Sequence, residues 1–193
     1  GMKYDHETEN YDHHQPESAG TRTNKIPYAS AGLIWKHYGK KLVNDTEAWE
    51  YVDNKLIQPI DAGDNGVLTY TATLTPYTIS NVIDVMNPNW DAEEEEDVLF
   101  AEAVRVATII LKREFQQANS IMKAKKIVRE VLKKTKKQYI ILEKYCPWKE
   151  TVVKETDKLY TVYPTKNGWV VHAVPNKVDG FDVRRPLPAH WGG

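Results

Sequence analysis

Asp12, His13 and His14 stand side by side in Tyr11-Asp12-His13-His14-Gln15. One carboxylate and two imidazoles in a row offer the oxygen and nitrogen ligands that a borderline divalent cation accepts. The same triplet also occurs as solvated surface, so it does not decide the matter alone. A second candidate is Ile60-Asp61-Ala62-Gly63-Asp64-Asn65-Gly66. It reads either as a helix-terminating turn or as carboxylates delivered from the end of an apolar element into a shared site. A third is the run Ser120–Lys137, where Lys123, Lys125, Lys126, Arg129, Lys133, Lys134, Lys136 and Lys137 face only Glu130. On one helix this makes a positive stripe, either a solvated face or a nucleic-acid contact carried by Lys126, Arg129, Lys133, Lys134 and Lys137. Cys146, His37 and His172 read as structural residues. No glycine-rich phosphate loop, Ser-His-Asp order or paired-cysteine zinc spacing occurs.

These residues need elements to hold them. Residues 1–25 carry no helical period and read as loops around one short strand. The opening Gly1-Met2 looks like a protease scar before a start methionine. Helices are expected over Ser30–Tyr38, from Asn44 (with capping-box spacing to Glu47) to about Gln58 before Pro59, and over Ile79–Val85. The acidic run Asp91–Asp97 opens the strongest helix, with Leu99, Ala103, Val106 and Ile110 on one face and Phe100 and Val104 beside it. That helix is expected to reach Ala118, break at Asn119-Ser120 and resume to Lys137. Alternation then predicts strands at 138–142, 151–153, 159–163 and 169–174, arranged as an antiparallel meander. The class is α+β, a mostly helical middle with a C-terminal antiparallel sheet, divided into parts 1–90 and 91–193.

Composition bounds the partners. The chain has 193 residues, 41% hydrophobic and 27% charged, which excludes a disordered chain. The net charge of -1 gives no global attraction to nucleic acid or anionic membrane. No apolar run approaches the roughly 20 residues of a membrane span. A single cysteine excludes an internal disulfide framework and suits the cytoplasm.

Taken in order, Tyr11–Gln15, then Ile26-Pro27-Tyr28-Ala29-Ser30-Ala31-Gly32-Leu33-Ile34-Trp35-Lys36, then Ile60–Gly66, resemble the melanocyte-proliferating-gene (Myg) family of predicted metal-dependent hydrolases. Leu74-Thr75, Asn87-Pro88-Asn89-Trp90, Cys146-Pro147-Trp148-Lys149-Glu150, Gly168-Trp169, Ala173-Val174-Pro175, Arg185-Pro186-Leu187-Pro188 and Trp191 extend the likeness along nearly the whole chain. The family is related to the Asp-His-His phosphoesterases. The resemblance implies the remnant of such an α/β domain, a divalent metal (manganese), and phosphoester hydrolysis with RNA or a nucleotide as substrate. It makes His13 the metal-binding histidine and Asp12 its ligating or orienting neighbour. His14 would face the substrate phosphate, and Asp64, or else Asp61, would be the downstream carboxylate ligand.

Family members begin with a strand and a His-Asn-Gly type motif that supply further ligands, and close with a glycine-rich segment. This chain starts at Lys3-Tyr4-Asp5-His6 and stops at Trp191-Gly192-Gly193, so it reads as truncated at both ends. His13, Asp64 and Asp12 suffice for one weak site and not for a closed metal pair, with Asp5 and His6 as nearby substitutes. Two outcomes stay open. The site is completed by an upstream segment or by another chain, which would also cover the sheet edge left by the missing strands, or the chain is a non-catalytic remnant binding RNA or a protein partner.

Overall fold

Ala29, Leu33, Trp35 and Val43 are apolar at positions that return to one face of a helix, and in the computed structural model they are buried along α1 (Ser30–Val43). The structure describes residues 3–14, 19–67, 70–71, 73–91, 93 and 95–191. It divides into two compact units, residues 1–118 and 119–193.

In the first unit, α1 ends at Asn44, which takes a left-handed conformation with φ 54° and donates its N–H to Lys40. Asp45, not Asn44, caps α2 (Thr46–Val52), accepting the Ala48 N–H at 2.8 Å. Trp35 of α1 stacks on Trp49 of α2 with centroids 6.1 Å apart and on Phe115 at 5.8 Å. Gly39 lets them approach, since a Cβ there would lie 2.6 Å from the Trp35 ring and 2.7 Å from Trp49 Nε1. Pro59 does not end the helical run as expected. A π-helical turn over Asp53–Ile57 precedes α3 (Gln58–Asp64), and Pro59 enters in the first turn of α3, where a missing N–H is tolerated. Asn65 and left-handed Gly66 (φ 67°) then stop α3. α4 (Ile79–Asp84) follows, opened by a capping box between Thr78 and Asn81. In place of the short N-terminal strand there are two isolated bridges, Asp5 with Asn10 and Thr21 with Pro27.

α5 (Glu96–Lys134) is a single helix of 39 residues. Asn119 and Ser120 do not break it: each costs less than about 0.7 kcal/mol in a helix, and strong helix formers flank them. Phe100 and Val104, expected against the core, are exposed.

The second unit packs the C-terminal part of α5 and α6 (Lys149–Glu155) on a three-stranded sheet, with strand order β1 (Tyr139–Ile141), β2 (Tyr160–Thr165), β3 (Gly168–Ala173). Its core is Ala124, Val128, Ile140, Leu142, Cys146, Trp148, Val152 and Val174. β2 and β3 form the antiparallel hairpin, but β1 runs parallel to β2, so the sheet is mixed. A parallel pair needs a crossover. α6 supplies it from residues 151–153, which read as a strand because Thr151, Val152 and Val153 are β-branched. The α+β class holds. Burial raises the Cys146 thiol above its ordinary pKa despite Lys144, as fits a small core residue.

Candidate metal centre

α1 begins without a local cap. Ala29 at its N-cap makes no side-chain hydrogen bond, so the orphan N–H groups of the first turn find partners from distant segments. Asp61 Oδ1 accepts the N–H of Ala29 at 3.2 Å and of Gly32 at 2.9 Å. Its Oδ2 accepts Arg22 Nε at 3.0 Å and Nη2 at 2.8 Å, while Arg22 Nη1 reaches Asp53 Oδ2 at 2.7 Å. Asp61 is 0% exposed, and burial raises its pKa against the opposing pull of Arg22 and the two backbone donors. A Cβ on Gly32 would stand 2.0 Å from Asp61 Oδ2, so only glycine admits this carboxylate to the helix end. Both Asp61 oxygens are therefore committed. Asp61 acts as a long-range cap of α1.

His13 takes the next donor. Its Nδ1 accepts the Ser30 N–H at 3.2 Å and lies 3.1 Å from Ser30 Oγ. The opposite nitrogen, Nε2, stands 2.9 Å from Asp64 Oδ2, with the His13 side chain 7% exposed and Asp64 47% exposed. Asp64 is the last residue of α3, where the helix dipole disfavours a carboxylate, so local preference does not explain its place there. Asp12 accepts the His14 N–H at 2.9 Å, and that bond above all lowers the pKa of its carboxyl. The His14 ring lies 3.9 Å from the His13 ring and 3.6 Å, at Nδ1, from Asp12 Oδ1, and is largely exposed. Asp12, His13 and His14 each bring a ligand atom within 4.8 Å of the others, and Asp64 joins through His13. Gln15, the last residue of the motif, lies outside the described residues.

The donor set fits one divalent cation. With the ring proton on Nε2, His13 donates to Asp64 and accepts from Ser30 N–H. With the proton on Nδ1, Ser30 Oγ accepts it, the Ser30 N–H gives up its bond to the ring, and a bare Nε2 lone pair faces the Asp64 carboxylate, an arrangement that a shared cation would make favourable.

Asp5 and His6 do not join this cluster. Asp5 accepts the Glu7 N–H at 2.9 Å. His6 stacks on His37 with centroids 3.6 Å apart and bonds Tyr11 Oη at 2.8 Å. Tyr4 Oη lies 2.6 Å from His37 Nε2, and Tyr11 donates to Tyr38 at 3.0 Å, which donates to Glu9 at 3.1 Å. Burial, then His6, lowers the pKa of His37. The bond with Tyr11, then burial, raises that of Tyr38. This aromatic knot fastens the N-terminal segment to α1. Its residues are scattered over positions 4–38 with no period to announce it.

The MYG1_exonuc family model, described as an uncharacterised protein family (UPF0160), matches residues 1–193. The chain belongs to this family. Against MYG1 proteins it is 29% identical to one from Schizosaccharomyces pombe over 225 residues, covering all of this chain and 68% of that protein. It is 29% identical to one from Dictyostelium discoideum over 226 residues, with 100% and 69% coverage. The Mus musculus protein named MYG1 exonuclease is 26% identical over 234 residues, and this chain spans 61% of its length. No solved structure matches.

The stripe expected on the MYG1-family basic helix is split by the structure. Arg129 holds Glu155 through Nη2 at 2.7 Å and Nε at 3.1 Å, and Lys133 pairs with Glu130 at 3.1 Å. Lys126, Lys134 and Lys137 line a groove between α5 and β1. His172, expected to be a satisfied structural histidine, is exposed, with Nδ1 3.5 Å from Tyr163 Oη and its ring centre 5.2 Å from that of Trp148. Among the described residues no helix is long and apolar enough to cross a membrane.

Proposed function

We propose that His13, Asp64 and Asp12 hold a divalent cation, manganese by the family resemblance, and that the chain hydrolyses phosphoester bonds in RNA. The observation that carries this reading is the approach of His13 Nε2 to Asp64 Oδ2 at 2.9 Å, across two segments distant in sequence. The name of the mouse relative, MYG1 exonuclease, supports a nucleic acid as the substrate; RNA comes from the family resemblance. A bound cation would supply Lewis-acid polarisation of the phosphoryl group. The protein does the rest. The Ser30 hydroxyl, accepting the His13 Nδ1 proton, holds the ring with Nε2 bare, the His14 N–H orients the Asp12 carboxylate, and the exposed His14 ring, when protonated, donates a charge-assisted hydrogen bond to a phosphate oxygen. These residues suffice for one ion. A two-ion clamp needs carboxylates from another segment or chain.

Calorimetric titration of Mn²⁺ into the protein tests this, beside His13→Ala and Asp64→Asn, followed by hydrolysis of a labelled oligoribonucleotide. Saturable binding lost in both variants is the expected outcome. If the wild type takes up no Mn²⁺, the cluster serves only to cap α1, and the chain acts by binding RNA or a protein partner.

A further inference from the structure

Strand pairing in the second unit sorts its side chains onto two faces. Ile140 and Thr161 are fully buried on the face that meets the core. Tyr139, Ile141, Tyr160, Val162, Trp169 and Val171 alternate with them and share the opposite face. A strand set that is apolar on both faces ordinarily has both covered. Among the described residues the stretch Arg185–Trp191, which ends in a 3-10 turn over Ala189–Trp191, borders the second face, where a cavity of about 580 Å³ is lined by Tyr139, Tyr160, Arg185 and Trp191, among others. Ile141 remains 50% exposed, Trp169 62% and Trp191 58%. Tyr139 also borders the groove of about 960 Å³ between α5 and β1, where Lys126, Lys134, Lys137 and Lys144 outnumber Glu130 and Glu143. Lys133 partly neutralises Glu130 and, with Lys134 and Lys126 nearby, lowers its pKa. Lys137 Nζ sits 5.4 Å from the centre of the Tyr139 ring.

We propose that this aromatic face and the lysine groove that meets it at Tyr139 form one binding track for a single-stranded nucleic acid, separate from the metal cluster. The choice of occupant rests on the function proposed above and on charge. In a chain of net charge -1, Lys126, Lys134, Lys137, Lys144 and Arg185 converge on the track against two glutamates. An apolar protein surface would not use that cationic excess, whereas a phosphate backbone does. The open rings offer platforms on which unstacked bases of any sequence can stack. A duplex keeps its bases stacked and gains only the phosphate contacts, so the track prefers single strands.

The test is fluorescence anisotropy of a labelled 12-nucleotide oligouridylate with the full chain, in EDTA, across a salt series. Lys134→Glu/Lys137→Glu should weaken binding about tenfold or more and make the log K against log salt slope shallower by about 1.4, from two lost phosphate contacts. Trp169→Ala, at an exposed position, should weaken binding while leaving the slope unchanged. A duplex of the same length should bind less tightly. Equal affinity of the double-lysine variant and the wild type, or no binding by either, overturns the track. So does sedimentation showing a dimer that Trp169→Ala dissociates and the oligonucleotide does not disturb, since a second copy then covers the face. His13→Ala should bind the oligonucleotide like wild type. If it does, and Mn²⁺ titration of the wild type shows no uptake, the metal reading fails while the track stands.

Discussion

Asp61 and Asp64 leave the same short helix three residues apart, and their surroundings differ in nearly every respect. Asp61 is sealed among Arg22, Ala29 and Gly32, with each oxygen used. Asp64 is half exposed and faces the one imidazole nitrogen that α1 leaves unused. Both carboxylates sit near the N-terminal end of α1, where partial positive charge gathers. The first cluster is closed, so removing any member strands a buried charge. The second keeps coordinating capacity, which is what a site needs and a structural network does not.

Substitution separates the two most sharply. Asp61→Ala should lower stability by about 3–5 kcal/mol, because Arg22 is left buried without its main partner, whereas Asp64→Ala should cost less than about 1 kcal/mol. Chemical denaturation of the two variants checks this; equal midpoints would erase the distinction. Gly32→Ala comes next. It drives a methyl into Asp61 and should cost about 1–3 kcal/mol, readable in thermal melts, and Asp61→Ala should largely relieve it in the double variant. On the open side, Mn²⁺ at 100 times its dissociation constant should stabilise the wild type by about 2.7 kcal/mol, and His13→Ala or Asp64→Asn not at all. Differential scanning fluorimetry with and without the ion reads that difference.

The smallest effect concerns His37. Its folded pKa lies below the ordinary 6.5, so the unfolded chain takes the proton first. Its contribution is full above pH 6.5 and is lost as pH falls through that value toward the lower folded one. Melts from pH 7.5 to 5 should show this loss, and His37→Gln should reduce the slope.

How much of this was legible depended on what kind of signal each residue leaves. Asp12–His14 and the Asp61–Gly66 turn stand out as residue types, and the Asn65-Gly66 stop could be read from turn chemistry. The burial of Asp61 beside an exposed Asp64 could not. It depends on helix rotation and on Arg22, a lone arginine in a polar loop with no periodic context. Thr151–Val153 misled because β-branching favours a strand, while the parallel pairing of β1 with β2 demanded a crossover helix. Asn119-Ser120 looked like a break, but two modest propensity costs do not outweigh the continuous helix on either side. The basic stripe was visible, yet its pairing was decided by Glu155, which takes Arg129, and Glu130, which takes Lys133.

The uncapped start of α1 also sets two clocks two residues apart. First-turn amides normally exchange with solvent deuterium almost freely. Here the Gly32 amide is bonded to a buried carboxylate and exchanges only when Arg22, Asp61 and the helix end part together. The Ser30 amide is held by His13 alone and is released whenever that ring swings out, so its exchange rate reports the opening of the imidazole and Gly32 reports the unfolding beneath it.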